Sequence, residues 1–192
     1  MFNSIEEIIN HVEYLKTAPP YEINEHLGTL ARLATECETI TEFGVGWGTS
    51  TWAFLSAQPK RIRSYDIIKY EQLGLLFETV RRMNLDWQLT LGNTADPALE
   101  IDECDLLFID SLHNADHVAA ELRHADKVNK YIVFHDVVKW GEFGESAETL
   151  GEMRDDIKGI NYAINAFMDS HPEWKEVERY DNNHGLLVIK RC

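Results

Sequence analysis

Apolar side chains recur at Ile5, Ile8, Ile9, Val12 and Leu15, a spacing that lines one face of a helix over residues 4–16. Ser4 stands before the first of them, where a hydroxyl can accept from a free N–H of the opening turn. Pro19-Pro20 then interrupts the pattern, and a second helical face follows with Ile23, Leu27, Leu30, Leu33 and Ala34. From Thr39 onward the rhythm changes. Short β-runs at Thr39–Val45, Arg61–Ile67, Trp87–Leu91, Asp105–Asp110 and Tyr131–Val137 alternate with helical stretches near 48–57, 69–84 and 114–129. The last stretch carries Val118, Leu122, Ala125 and Val128 on one stripe. Leu106-Leu107-Phe108-Ile109 and Tyr131-Ile132-Val133-Phe134 are continuously apolar, as strands covered by helices on both faces must be, so a parallel α/β sheet is expected. Two further β-runs, Trp174–Tyr180 and Leu186–Lys190, are joined by Asp181-Asn182-Asn183-His184-Gly185, whose residues tolerate positive φ, and they read as a hairpin. The polar, glycine-punctuated stretch Gly141–Gly159 reads as a loop or lid with short helical pieces.

The 192 residues, 44% of them hydrophobic, suffice for one core, so a single domain is expected over 1–192. It divides into a helical cap at 1–36 and an α/β core at 37–192. The formal net charge is −15, with no basic face to replace the counterions of a polyanion, so neither nucleic acid nor an anionic membrane is expected as a partner. Cys37, Cys104 and Cys192 are scattered, without the spacing of a disulfide framework or a structural zinc site. An acidic start and the lack of a long apolar run make a cytoplasmic location the expectation. Oligomeric state is open, a homodimer included.

The richest motif is Glu42-Phe43-Gly44-Val45-Gly46-Trp47-Gly48-Thr49-Ser50-Thr51 at the end of the first β-run. Gly44, Gly46 and Gly48 let the backbone turn sharply and approach a ligand, and Ser50-Thr51 opens a helix whose free N–H groups favour an anionic group. A dinucleotide fingerprint would need glycine where Thr49 stands. Asp66, about 20 residues on, is placed to accept from both hydroxyls of a ribose, and it fits SAM or NAD alike. Asn93 and Thr94 follow the third β-run, as adenine contacts or as an ordinary turn. Asp110 and His113, with His135 and Asp136 at the next strand end, form a cluster able to hold a divalent cation and to offer a base near neutral pH. Helix capping by Asp110 is the plainer alternative. His113 and His117 have the spacing of a zinc-hydrolase helix, but Asn114 occupies the position of its glutamate. His11, His124 and His171 are expected on the solvated surface; His26 is either surface or a substrate contact.

Taken in order, these motifs resemble the class I S-adenosylmethionine (SAM)-dependent methyltransferases. The likeness is to the branch of catechol-, macrocin- and mycinamicin-type O-methyltransferases and cephalosporin-hydroxylase-like proteins, and it runs from Thr39 to the end. Its most specific parts are Glu42-x-Gly44-x-x-x-Gly48-x-Ser50-Thr51, Ile109-Asp110-x-x-His113, and the closing hairpin with Gly185-Leu186. The resemblance implies a Rossmann-like, seven-stranded, mostly parallel sheet with helices on both faces and an antiparallel last strand. It implies that Glu42, Gly44, Gly48 and Ser50 line the methionine end of SAM, with the ribose on Asp66 and the adenine near Asn93 and Thr94. Asp110 would serve cofactor, catalysis and metal. Metal-dependent members hold magnesium with the matching aspartate and two oxygen ligands on the next strand, where this chain has His135 and Asp136. In some sugar-modifying members the residue matching His113 removes the hydroxyl proton.

The expected activity is therefore methyl transfer from SAM to a hydroxyl of a small molecule or sugar, with magnesium as a candidate second cofactor. The alternatives are a SAM-binding protein of this fold with a non-methylating or partner-dependent role and, further off, an NAD-dependent oxidoreductase. Selectivity for the acceptor would come from the N-terminal helices, the Gly141–Gly159 segment, Trp47 and Trp140.

Overall fold

A computed structural model describes residues 2–17 and 23–192. The Pro19-Pro20 interruption lies outside the described residues. Helix α1 (Ile5–Lys16) opens as its sequence requires: the Ser4 hydroxyl accepts from the Glu7 N–H at 3.2 Å. A short 3-10 turn leads into α2 (Leu27–Ala34). The α/β alternation then runs β1 (Thr39–Phe43), α3 (Thr49–Ser56), β2 (Arg61–Asp66), α4 (Gly74–Met83), β3 (Trp87–Leu91), β4 (Cys104–Ile109), α5 (Ala115–Glu121) and β5 (Val128–His135). A small ribbon, β6 (Phe143–Gly144) and β7 (Arg154–Lys158), precedes α6 (Ile160–Ser170) and the hairpin β8 (Trp174–Tyr180) and β9 (Leu186–Arg191).

Seven strands form one sheet in the order β3-β2-β1-β4-β5-β9-β8. Strands β1 to β5 pair in parallel, and β9 runs antiparallel to β5. Period-two alternation divides the central strands between two cores. Leu106, Phe108, Tyr131, Val133, Leu186 and Val188 face one side, packed under the first four helices. Leu107, Ile109, Ile132, Phe134, Leu187 and Ile189 face the other, under α5 and α6. Each such fully buried side chain contributes about 1.5–3 kcal/mol relative to exposure, so the apolar runs fix the sheet at its centre.

Two local expectations need correction. The helix expected to 129 ends earlier: α5 relaxes into a 3-10 turn over Leu122–Lys127, and Val128 begins β5. The Gly141–Gly159 stretch contains a two-stranded ribbon and no helix. Helix α6 adds an element between the expected segments, with Ile160, Ala163, Ile164 and Phe167 buried at helical spacing.

Candidate active site

The parallel strands end at one edge of the sheet, and the glycine loop begins there. The Asp110 N–H donates to the Phe43 carbonyl at 2.8 Å, drawing the ends of β1 and β4 together. Gly44 has φ 83°, and a Cβ on it would lie 1.8 Å from the Asp110 carbonyl oxygen. Only glycine fits this crossing. Asp66 braces the loop: its carboxylate accepts from the N–H groups of Val45 at 2.8 Å, Gly46 at 3.0 Å and Ile68 at 2.9 Å. Beneath the loop Glu42 is fully buried and accepts from the hydroxyls of Ser50 (2.6 Å), Thr51 (2.9 Å) and Ser64 (2.5 Å). Burial outweighs these bonds and pushes its carboxyl up to about 7.

Along the same edge Thr94 is buried. Its hydroxyl donates to Glu121 at 2.5 Å and lies 3.0 Å from Nε2 of His117. Ser111 donates to the same Glu121 oxygen at 2.6 Å, so this wall of the cavity is one polar network. Asn114 caps α5, its side chain accepting from the His117 N–H at 2.9 Å. Asp110 is therefore free of the capping role.

The third group of residues is an acid–histidine cluster. In an extended strand His135 and Asp136 would point to opposite faces, but Asp136 has φ 65° and the chain turns there. Nδ1 of His135 thus lies 3.1 Å from Asp110 and 3.3 Å from Asp136, while Nε2 lies 3.0 Å from the Asn183 carbonyl. His113 spans the other side, with Nδ1 2.6 Å from Glu145 and Nε2 2.9 Å from Asp136. Trp140 stacks on its ring at a centroid distance of 5.4 Å. Because β9 pairs with β5 opposite His135 and Leu186, the hairpin turn brings Nδ1 of His184 to 3.2 Å from Asp136.

Burial opposes charge on His113, but the facing carboxylates of Asp110, Asp136 and Glu145 outweigh it and hold the imidazolium well above the ordinary histidine range. Burial likewise opposes charge on His135, and Asp110 and Asp136 lift it to about 10. The carboxyls answer in kind: despite burial, the two imidazoles hold Asp110 and Asp136 below the usual range, and His113 does the same to Glu145.

No protein-family model matches the sequence, and no curated protein matches it. Solved structures do. The O-methyltransferase from Bacillus cereus in complex with S-adenosylhomocysteine (SAH) superposes with a TM-score of 0.66 at 16% identity, over 100% of this chain and 92% of that one. The SAH-bound methyltransferase of Podospora anserina gives 0.61 at 15% identity, over 96% and 87%. A methyltransferase from Geobacter sulfurreducens gives 0.61 at 14%, over 96% and 88%. The fold is that of the class I methyltransferases.

On this methyltransferase fold, one cavity of about 590 Å³ is lined by Gly44, Gly46, Ser50, Asp66, Asn93, Thr94, Asp110, His113, His135 and Asp136. Ten of the candidate residues thus share one space. Glu42 and Gly48 do not line it. Glu42 lies one layer below, holding α3 to β1 and β2. Gly48 turns into α3 at φ 83°, with Leu73 against its back.

The structure also adds and removes residues. His26 is buried behind His135, neither on the surface nor in the cavity wall, with Nε2 3.0 Å from the Asn182 carbonyl. His124 is buried against Phe43, not solvated. His11 and His171 are half-buried against Trp52 and Phe167. Glu145, His184 and the Glu121 network were missed. Glu145 is one of four glutamates between 142 and 152, and nothing in the sequence sets it apart. His184 was visible only as a turn residue.

Magnesium takes hard oxygen ligands. Here imidazole nitrogens from His113 and His135 stand between the carboxylates, so the residues do not fit that ion. Among the described residues no helix is long and apolar enough to cross a membrane.

Proposed function

We propose that the protein transfers a methyl group from SAM to a hydroxyl of a small molecule or sugar. One observation carries this reading: the braced glycine loop and the acid–histidine cluster open into a single cavity, of the size small-ligand sites have. Methyl transfer is an in-line displacement. The oxygen–carbon bond forms as the carbon–sulfur bond breaks, the hydroxyl proton goes to a base, and the sulfonium becomes a neutral thioether. The protein contributes mainly alignment and charge placement.

In this reading the ribose lies on Asp66, whose oxygens retain lone pairs beyond those used by Val45, Gly46 and Ile68. The adenine lies by Asn93 and Thr94, and the methionine end beside Gly44, Gly46 and Ser50. The carboxylates of Asp110 and Asp136 attract the positive sulfonium and orient the hydroxyl. His113 accepts the hydroxyl proton at Nε2. Glu145 and Asp136 favour the protonated ring, so the resting imidazolium must give up its Nε2 proton before the acceptor reacts, and the same carboxylates then stabilise the imidazolium that the reaction forms. Trp47 and Trp140, with the segment carrying Ala147 and Leu150, shape the acceptor end.

Calorimetry and thermal unfolding with SAM, SAH and NAD test the first half. Ligand at 100 times its dissociation constant should stabilise the fold by about 2.7 kcal/mol, for SAM and SAH and not for NAD. Label transfer from methyl-labelled SAM across hydroxylated sugars and phenols tests the second. Binding without transfer to any of them would favour a non-methylating role; no stabilisation by either ligand at millimolar concentration would overturn the reading.

A further inference from the structure

We infer that Glu121, which does not itself line the cavity, decides which heterocycle the cavity accepts. Through Thr94, Ser111 and His117 it turns one wall into hydrogen-bond acceptors, fitted to a ring that carries an amino group and set against the matching oxo ring. The inference rests on the SAM reading and concerns the base of that cofactor. Glu121 is fully buried on α5, and its Oε1 takes both hydroxyl protons, from Thr94 at 2.5 Å and from Ser111 at 2.6 Å. Each hydroxyl has one proton to give. Thr94 has spent its own, so Nε2 of His117 is the donor in their 3.0 Å contact, with the same Glu121 oxygen 3.3 Å away.

What these hydroxyls have left to offer a ligand is lone pairs, two on Ser111 and one on Thr94. Neither can turn its proton outward at small cost. Oε2 of Glu121 is buried without a hydrogen-bond partner, so a rotated hydroxyl would strip a carboxylate that is already under-satisfied. The neighbouring Asn93 supplies the opposite polarity. Its Oδ1 accepts from the Ala95 N–H at 3.0 Å, which leaves the protons of its amide nitrogen for a ligand. Asn93, Thr94 and Ser111 all line the cavity, so the wall sets two fixed acceptors beside one donor. A 6-aminopurine has an amino donor next to a ring-nitrogen acceptor, and the two patterns match. A 6-oxopurine has a carbonyl acceptor next to a ring N–H, and its oxygen meets the hydroxyl lone pairs. Rings of one shape are thus separated by the polarity that Glu121 imposes, the kind of contrast on which hydrogen-bonding sites discriminate best.

The test titrates the full chain with SAH and with its 6-oxo analogue, S-inosylhomocysteine, by calorimetry and without any acceptor. The native chain should bind SAH more tightly by roughly 10- to 150-fold. Glu121→Gln keeps the shape but gives one of the hydroxyls a donor in place of an acceptor, so that its proton turns to the cavity. The preference should then fall to within about threefold, the 6-oxo ligand gaining affinity in absolute terms. A Glu121 that only holds the fold would weaken both ligands alike and leave their ratio unchanged, and that result would overturn the inference. Should Glu121→Gln fail to fold, Ser111→Ala carries the test: SAH should weaken by about 2- to 12-fold and the 6-oxo analogue should not. Equal loss of both ligands in that variant would overturn the inference too. Equal binding of the two by the native chain would overturn this inference and leave the SAM reading standing, whereas binding of neither would overturn both.

Discussion

At the glycine end of the cavity, the walls are largely backbone: the Gly44–Gly46 turn, held by one aspartate through the N–H groups of Val45, Gly46 and Ile68. At the histidine end they are side chains, drawn from the ends of β4 and β5, the ribbon segment and the hairpin turn. The first end is made within about 25 consecutive residues, from Glu42 to Ile68. The second joins positions as distant as Asp110 and His184. A backbone wall can accept a constant ligand while surface residues vary. A side-chain wall sets its chemistry residue by residue, which is where a protein of a common fold acquires its own acceptor.

The comparison breaks most decisively at His113. If the two ends act separately, His113→Ala should lower turnover by roughly 10²–10⁴-fold while SAM affinity stays within about threefold. Single-turnover rates and calorimetry on the same preparation make the check. Loss of SAM affinity in step with turnover would show that the histidine end also holds the cofactor, and near-normal turnover would remove His113 from the chemistry.

Asp66→Ala should do the reverse. A charged acceptor lost from the ribose weakens SAM by roughly 10- to 150-fold, with turnover at saturating SAM little changed. The structure adds a second effect, because three backbone N–H groups lose their acceptor as well. Hydrogen exchange at Val45, Gly46 and Ile68 should therefore speed up even without ligand. Unchanged SAM affinity in a folded variant would move the ribose elsewhere.

The same contrast governs what the chain discloses before it is folded. The two apolar quartets on β4 and β5 announce a buried parallel sheet, and Asn183, His184 and Gly185, all at positive φ, make the turn their composition promised. Glycine spacing and Asp66 are local, so the glycine end was legible. Asp110, His113, His135 and Asp136 were legible too, because each ends a buried strand or follows one closely. Glu145 was not: its place depends on the ribbon folding back so that its side chain meets His113 and the Gly151 N–H. His184 depends on the pairing of β9 with β5, a long-range choice. Glu42 sits in the most legible motif of all, yet its inward direction is set by the hydroxyls of Ser50, Thr51 and Ser64, and the motif alone does not reveal that.

Glu42 provides the smallest effect and the finest test, since it ties the loop to the sheet without touching the cavity. Burial raises its carboxyl from 4.5 to about 7 in the folded chain. A group whose pKa is raised by folding stabilises fully below its unfolded value and loses that contribution as pH climbs through the folded value. Stability should therefore decline between pH 4.5 and about 7 and level off above, by at most about tenfold in the unfolding constant per pH unit. Asp110, Asp136 and Glu145, all held low, lose their contributions in acid, and His113 and His135, held high, lose theirs in alkali. The signal of Glu42 is therefore isolated as the difference between the native chain and Glu42→Gln, whose amide keeps an acceptor for one hydroxyl and lets the others turn to accept. Denaturant unfolding from pH 5 to 8 should show the two chains converging toward the acid end and diverging toward neutrality, the variant becoming relatively more stable as the native carboxylate ionises. Parallel curves across that range would mean that Ser50, Thr51 and Ser64 solvate the charge fully. The buried carboxylate would then be a plain hydrogen-bond hub with no pH dependence of its own.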